Sequence, residues 1–284
     1  MQTHPAELSV GHPRRGPIGL VVETLVSIGE RRRLIWYLAS SSIRRNEGKS
    51  VLGNAWLILD PALQLAIYYL LVGVVLRRPE PAFPLFLFAA ILPWRWFTMA
   101  ITSATESVRR EGKVMQQIAF PQIVLPAAAV AASVASFIFG LIPLGALYFV
   151  YPERLSVWVL TVPAIMLVQV LWTLPFAIAL SAVNVFVQDF SNLVKHGLRL
   201  AFYVSPALFS FDRLVNIAGN YPPLDTILLL NPMVWILNAY RSVLYASESP
   251  DWSALLIAGL ASIPFTLLSI YLFRRLSPSF AKVL

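Results

Sequence analysis

Cysteine is absent from the 284 residues, which excludes disulfides, thiolate metal sites and a cysteine nucleophile. Charge is scarce as well. Only 13% of the residues carry it, against about 25% in soluble globular domains. A soluble core of this length needs a charged surface to stay dissolved, whereas a bilayer removes that need. Histidine is limited to His4, His12 and His196, too far apart in sequence to suggest a metal cluster. The apolar stretches contain no paired carboxylates, and no Gly-x-Ser-x-Gly occurs. Gly48-Lys49-Ser50 imitates the end of a phosphate-binding loop, but Ile43 stands where that loop needs its first glycine. The chain is therefore expected to have no catalytic residue, no metal and no cofactor of its own. A cleaved leader is not expected either. The weak apolar run from Ile18 to Ile28 is broken by Glu23 and lacks a small-residue cleavage site. Residues 1–17 are read as a disordered tail.

What remains is hydrophobic: 58% of the chain. A helix needs about 20 apolar residues to cross about 30 Å of hydrocarbon. No charge interrupts Val114 to Pro152, Leu155 to Gln188 or Trp252 to Phe273. Together with weaker candidates these runs predict six spans, near 53–76, 84–104, 124–150, 157–184, 197–217 and 252–273. The expected class is an all-α membrane protein, with residues 1–50 as tail plus interfacial helix and 51–284 as the transmembrane domain. With the N-terminus in the cytoplasm, sixteen Lys and Arg fall on cytoplasmic segments and five on the opposite side. That bias fits the positive-inside rule with both termini cytoplasmic. The net charge of +8 then reports topology, and no nucleic-acid partner is expected.

Two stretches do not simply span. Residues 30–45 mix a dense basic cluster with an apolar block, which suits an amphipathic helix lying in the cytoplasmic interface. Residues 218–250 should be external, yet Ile227 to Leu230 and Met233 to Leu237 are too apolar for an ordinary loop. With Pro222, Pro223 and Pro232 as breaks, they predict two short re-entrant helices between spans five and six. Such segments persist at membrane depth only when protein covers them or they line a cavity, a first pointer to a gate. Two charges, Asp60 and Arg95, fall inside spans, where ionisable groups usually face protein or water. They are expected to face a pore or to pair.

Five landmarks in chain order carry a resemblance: Ser50 to Trp56 followed by Asp60-Pro61; Ile91-Leu92-Pro93-Trp94 with Phe97; Phe120 to Pro126; Asn184 to Asp189; and Asn231-Pro232-Met233 with Tyr240-Arg241. Together they resemble the permeases of type 2 ABC polysaccharide exporters, which move O-antigen, teichoic-acid and related lipid-linked glycans. Arg45-Asn46-Glu47 and Gln188 depart from that family's usual basic residues.

The resemblance implies a homodimer with two copies of a separate ATPase subunit, which binds the ATP and magnesium. It implies a polyprenyl-pyrophosphate-linked glycan as cargo and the bacterial inner membrane as location. The cytoplasmic segment 107–119 is then the coupling helix. Arg109, Arg110, Val114, Met115 and Ile118, with Gln188 and Asp189 of the second cytoplasmic turn, are the expected ATPase contacts. Aromatic faces stack on sugar rings, so Trp56, Tyr68, Tyr69, Trp94, Trp96 and Tyr203 are conduit candidates, although interfacial belts use the same residues. Tyr68 and Tyr203 rank first, because spans one and five line the dimer interface in the family. Arg31, Arg32, Arg33, Arg44, Arg45 and Lys49 are candidates for recruiting the carrier pyrophosphate. Asn231, Pro232, Met233 and Arg241 are assigned to an external gate.

The arginine- and alanine-rich composition suggests a high-GC genome, which within the resembled family favours an actinobacterial cell-wall galactan exporter, an association that carries no mechanism. A drug or small lipid as cargo is the main alternative. A membrane-embedded sugar transferase lacks the clustered carboxylates it needs, and a proton-coupled transporter lacks enough buried ionisable groups.

Overall fold

The structure, a computed structural model, describes residues 19, 23–24, 26, 29–47, 52–75, 81–112, 121–211, 215–216, 219, 226, 228 and 230–283. Among these every regular element is helical. Helix α1 runs Arg32–Glu47. Helix α2, Trp56–Tyr68, continues as a π-helical stretch through Val75. Helices α3, Phe83–Arg110, and α4, Val124–Val150, are followed by a 3-10 turn, Val157–Thr161, that leads into α5, Val162–Phe186. Then come α6, Phe190–Val204, α7, Pro232–Arg241, and α8, Trp252–Leu276. A short α9, Phe280–Val283, ends the described chain.

Five helices are long and apolar enough to cross a membrane: Trp56–Gly73, Phe83–Arg110, Val124–Val150, Val157–Phe186 and Trp252–Ser279. They coincide with five of the six expected spans. The remaining one, 197–217, is corrected. Its helix begins earlier, at Phe190, and stops at Val204 after 15 residues, about 22 Å at 1.5 Å per residue. Ser205 precedes Pro206, and the proline ring drives the residue before it out of the helical region; Ser205 sits at φ −91°, ψ 156°. Helix α6 is therefore shorter than the hydrocarbon it was expected to cross.

Helix α3 is the hub. In its most apolar stretch 78% of residues are buried, against 11% in α2. A helix apolar on all sides is stable where other helices surround it, and α4, α5 and α7 pack around α3. Close approach to α4 is set at Gly140, where an added Cβ would collide with the Leu92 side chain. Beside it, Trp96 donates to Ser133 Oγ at 3.0 Å and packs on Phe137. On the α5 side, fully buried Gln169 donates to the Pro93 carbonyl at 2.8 Å.

One end of the bundle gathers the turns around Pro81, Arg154 and Tyr245. Tyr245 donates to the Pro81 carbonyl, Ser247 to the Arg154 carbonyl, and Tyr148 to the Leu244 carbonyl. The other end carries Arg109, Arg110, Lys195, Arg274 and Arg275. There α1 packs against α4, burying Ala39 and leaving Trp36 and Tyr37 exposed.

Of the two short helices expected between spans five and six, one lies mainly outside the described residues. The other is α7, and protein covers it: Met233, Val234, Ile236, Leu237 and Tyr240 are all buried.

Candidate conduit groove and its clamps

Three helices each present a polar stripe at helical spacing. Helix α2 offers Asp60, Gln64 and Tyr68; α3 offers Arg95, Thr98, Thr102 and Glu106; α6 offers Lys195, Arg199 and Tyr203. Residues four apart lie on one helix face, so these stripes can converge, and they do. Between them runs a groove of about 540 Å³. One part is aromatic. Phe202 sits 5.4 Å from Tyr68, 5.8 Å from Trp94 and 5.4 Å from Tyr203, ring centre to ring centre. The part nearer the basic end is polar and cationic, with Thr102, Lys195 and Arg199.

The two charges inside the spans meet at the edge of this groove, which Arg95 lines. Arg95 donates to Asp60 Oδ2 at 3.0 Å and to Gln64 Oε1 at 3.5 Å. Lys195 pairs with Glu106 at 2.7 Å. Arg199, also on the groove, has no hydrogen bond or ion pair among the described residues. Thr98 and Thr102 donate their hydroxyl protons to backbone carbonyls one turn back, which leaves their oxygens as acceptors.

Of the expected conduit residues, Tyr68, Trp94 and Tyr203 line this groove. Trp56 is exposed near the start of α2, and Tyr69 turns away toward Phe83. Trp96 is 1% exposed in the core between α3 and α4 and lines no part of the groove. Phe202, Gln64, Lys195 and Arg199 line it without having been singled out from the sequence. The signal for Lys195 and Arg199 was the four-residue repeat Lys195-Arg199-Tyr203, which the expected span at 197–217 cut in two.

Helix α6 is clamped at both ends. At the basic end Lys195 holds Glu106, and Arg109 donates to the Gln188 carbonyl at 3.3 Å, joining the turn before α6 to the end of α3. Arg110 instead pairs with Glu106 one turn back in its own helix. Asp189 is exposed and precedes α6 without a side-chain cap. Val114, Met115 and Ile118 lie outside the described residues.

At the far end Asn231 caps α7 by accepting from the Met233 amide, with Pro232 at the first helical position. Its amide nitrogen also donates to Ser205 Oγ at 3.0 Å, just past the end of α6. Arg241 does not face solvent. It is 5% exposed and donates to the carbonyls of Phe209 at 2.6 Å, Ala207 at 2.9 Å and Phe86 at 3.4 Å. Of the residues expected at a gate, Asn231 and Arg241 thus hold the bend that follows α6. Burial raises the pKa of the Tyr240 phenol well above its usual value.

Among the recruitment candidates, Arg31, Arg32 and Arg33 are exposed at the start of α1. Arg44 and Arg45 fall in its last turns, and Lys49 lies outside the described residues. No group of three metal-ligating side chains occurs among the described residues.

No protein-family model matches the chain. Its relatives among curated proteins include the O-antigen export system permease protein RfbA of Myxococcus xanthus, 28% identical over 82% of this chain and 88% of that protein. Two proteins of the same name from Klebsiella pneumoniae are 26% and 25% identical over 88% of this chain and 95% of theirs. Over more than four-fifths of its length the chain is thus similar to proteins named as O-antigen export system permeases.

Proposed function

We propose that this chain is the permease of a polysaccharide export system, moving a lipid-linked glycan from the cytoplasmic to the outer face of a bacterial inner membrane. The observation that carries the reading is the groove between α2, α3 and α6. A glycan needs hydrogen-bonding groups along its hydroxyls and flat apolar faces against its rings. This groove supplies both inside a membrane domain. The relatives' name, O-antigen export system permease, favours a polysaccharide over a drug or a small lipid. It does not single out a galactan, for which the composition is the only argument.

The groove is open along one side. Exposed apolar residues flank it: Leu59, Leu63 and Ile67 on α2, Leu193 and Leu200 on α6. A second copy of the chain set against these faces closes the groove into a conduit, which is why we favour a homodimer. The power comes from a separate ATPase, present in two copies and carrying ATP and magnesium. Arg109, Arg110, Gln188 and Asp189 sit on adjoining turns at the basic end, held by the Arg109–Gln188 contact, so a push there is passed to α3 and α6 together. Arg31, Arg32, Arg33, Arg44, Arg45 and Lys49 recruit the carrier pyrophosphate at the cytoplasmic surface. Both termini are cytoplasmic in this reading.

The test is co-purification with an ATPase subunit followed by reconstitution. A lipid-linked glycan should stimulate hydrolysis and cross the bilayer only when both subunits are present. Transport or ATP hydrolysis by this polypeptide alone would overturn the proposal.

A further inference from the structure

A second groove, of about 750 Å³, shares no residue with the first. Its walls are Trp172 and Phe176 on α5, Trp235 on α7, and Ala258, Ala261 and Phe265 on α8, with Asp251 and Ser253 at one end. We infer that it holds one acyl chain of an amine-bearing phospholipid, with the lipid ammonium against Asp251.

Position, shape and charge support this occupant. Helices α5 and α8 both belong to membrane-crossing candidates, so the open side of the groove faces hydrocarbon. From Asp251 to Phe265 the groove follows α8 for about 20 Å at 1.5 Å per residue. One leaflet of a bilayer is about 15 Å of hydrocarbon, half of the usual 30 Å. A single chain entering at the Asp251 end therefore fits along its length. The floor is cut by Ala254, Ala258 and Ala261, whose methyls leave the channel unfilled. Trp172 cannot swing in to fill it, because its indole nitrogen donates to the Ala258 carbonyl at 2.8 Å. At the deep end the rings of Trp172, Phe176 and Phe265 close the channel, with Phe265 5.3 Å from Trp172 and 6.2 Å from Phe176.

The headgroup follows from the rim. Among the described residues Asp251 is the one charged residue lining the groove, and it is exposed at the start of α8. The Ser253 hydroxyl and the Ala254 amide hold its carboxyl below the usual range, so it is anionic at neutral pH. Among the described residues no basic side chain lines the groove to pair with an anionic headgroup, whereas an ammonium gains a partner. Because Pro232 and Trp235 of α7 also line the groove, the bound chain wedges α7 against α8. Lipid composition thereby reaches the helix whose Asn231 holds the end of α6. None of this depends on what the first groove carries.

The full chain is placed in bilayers mixing phosphatidylethanolamine with phosphatidylglycerol, and association is read with spin-labelled analogues of each. Wild type should favour the amine-bearing lipid about two- to fivefold, as expected of an exposed ion pair. D251N keeps the helix cap, since Asn caps as well as Asp. It should erase the preference while the chain still binds. A261F fills the deep part of the groove and should lower retention of both lipids. Equal association of the two lipids with wild type would overturn the proposal, as would a preference that survives D251N. Should A261F fail to fold, the D251N arm still decides. In this cysteine-free chain, an I257C disulfide dimer formed in the membrane would show that a second copy covers the groove, and would overturn it equally.

Discussion

The guanidinium of Arg241 lies 3.9 Å from the centroid of the Phe86 ring, and its nitrogens donate to three backbone carbonyls, one of them that of Phe86. A cation held this way joins α7 to the start of α3 and to the bend after α6. Helix α6 therefore cannot tilt freely at that end, while Lys195 and the Gln188 carbonyl restrain the other. Of the three helices that line the groove, α6 is thus the one held at both ends, by an ion pair and a carbonyl contact at one and by hydrogen bonds to Ser205 and to the bend beyond it at the other. We expect its movement to be the one that changes the groove.

Replacing Arg241 by Gln should destabilise the protein by about 3 kcal/mol, because buried hydrogen bonds from a charged group are lost and carbonyls are left unmatched. Lysine keeps the charge but not the planar fork, so R241K should recover only part of the loss. Thermal unfolding in detergent reads both variants. A melting temperature unchanged in R241Q would mean that Arg241 serves the gate without holding the fold.

Asp60 and Arg95 should behave as a unit. D60N leaves a cation in a span without its partner, and a lone charge at the bilayer centre costs about 2.5–3.5 kcal/mol on insertion scales. R95Q strands the carboxylate in the same way. Exchanging the two residues, D60R with R95D, restores the pair and should recover most of the folded yield. Equal yields for both single variants and for wild type would show that groove water already solvates each charge.

How far the sequence carries this architecture can be seen residue by residue. Five long helices were legible because three follow from uninterrupted apolar runs and two from runs broken by a single charge each, and the Asp60–Arg95 encounter followed from the cost of those two charges in spans. Helix α6 was not. Its sequence, Phe190 to Val204, is strongly amphipathic, and counting apolar residues missed a helix that carries Lys195, His196 and Arg199 along its length. Pro206 signalled its end, but the apolar residues beyond drew the expected span onward to 217. The role of Arg241 was hidden for a related reason. An arginine beside an external turn suggests exposure, and only the fold reveals carbonyls from residues 32, 34 and 155 positions away converging on it.

The aromatic residues separate into two kinds with opposite signatures. Tyr203 is 57% exposed on the groove, so Y203A should leave melting nearly unchanged while lowering glycan export. A loss of about 1.4 kcal/mol of stacking corresponds to a tenfold effect. Trp96 is buried, and W96A should cost about 3–5 kcal/mol of stability, as other buried tryptophans do. Export by W96A, corrected for the amount of folded protein, should stay near wild type. A specific export defect in W96A together with none in Y203A would move the conduit to the other face of α3.

Acid should loosen the start of α8 through Asp251. Its carboxyl is held below the usual range by the Ser253 hydroxyl first and the Ala254 amide second. A carboxyl with a lowered pKa contributes stability that is full above its unfolded value, near 4, and lost as pH falls through the folded one. Amide hydrogen exchange at Ala254 and Leu255, corrected for intrinsic pH dependence, should therefore be flat from pH 7 to about 5. It should rise as Asp251 protonates below about 4. D251N accepts from the same amide without titrating, so its exchange should stay flat throughout that range. An acid-induced rise of the same size in D251N would place the sensitive group elsewhere in the loop, with Glu248 the nearest carboxylate in sequence.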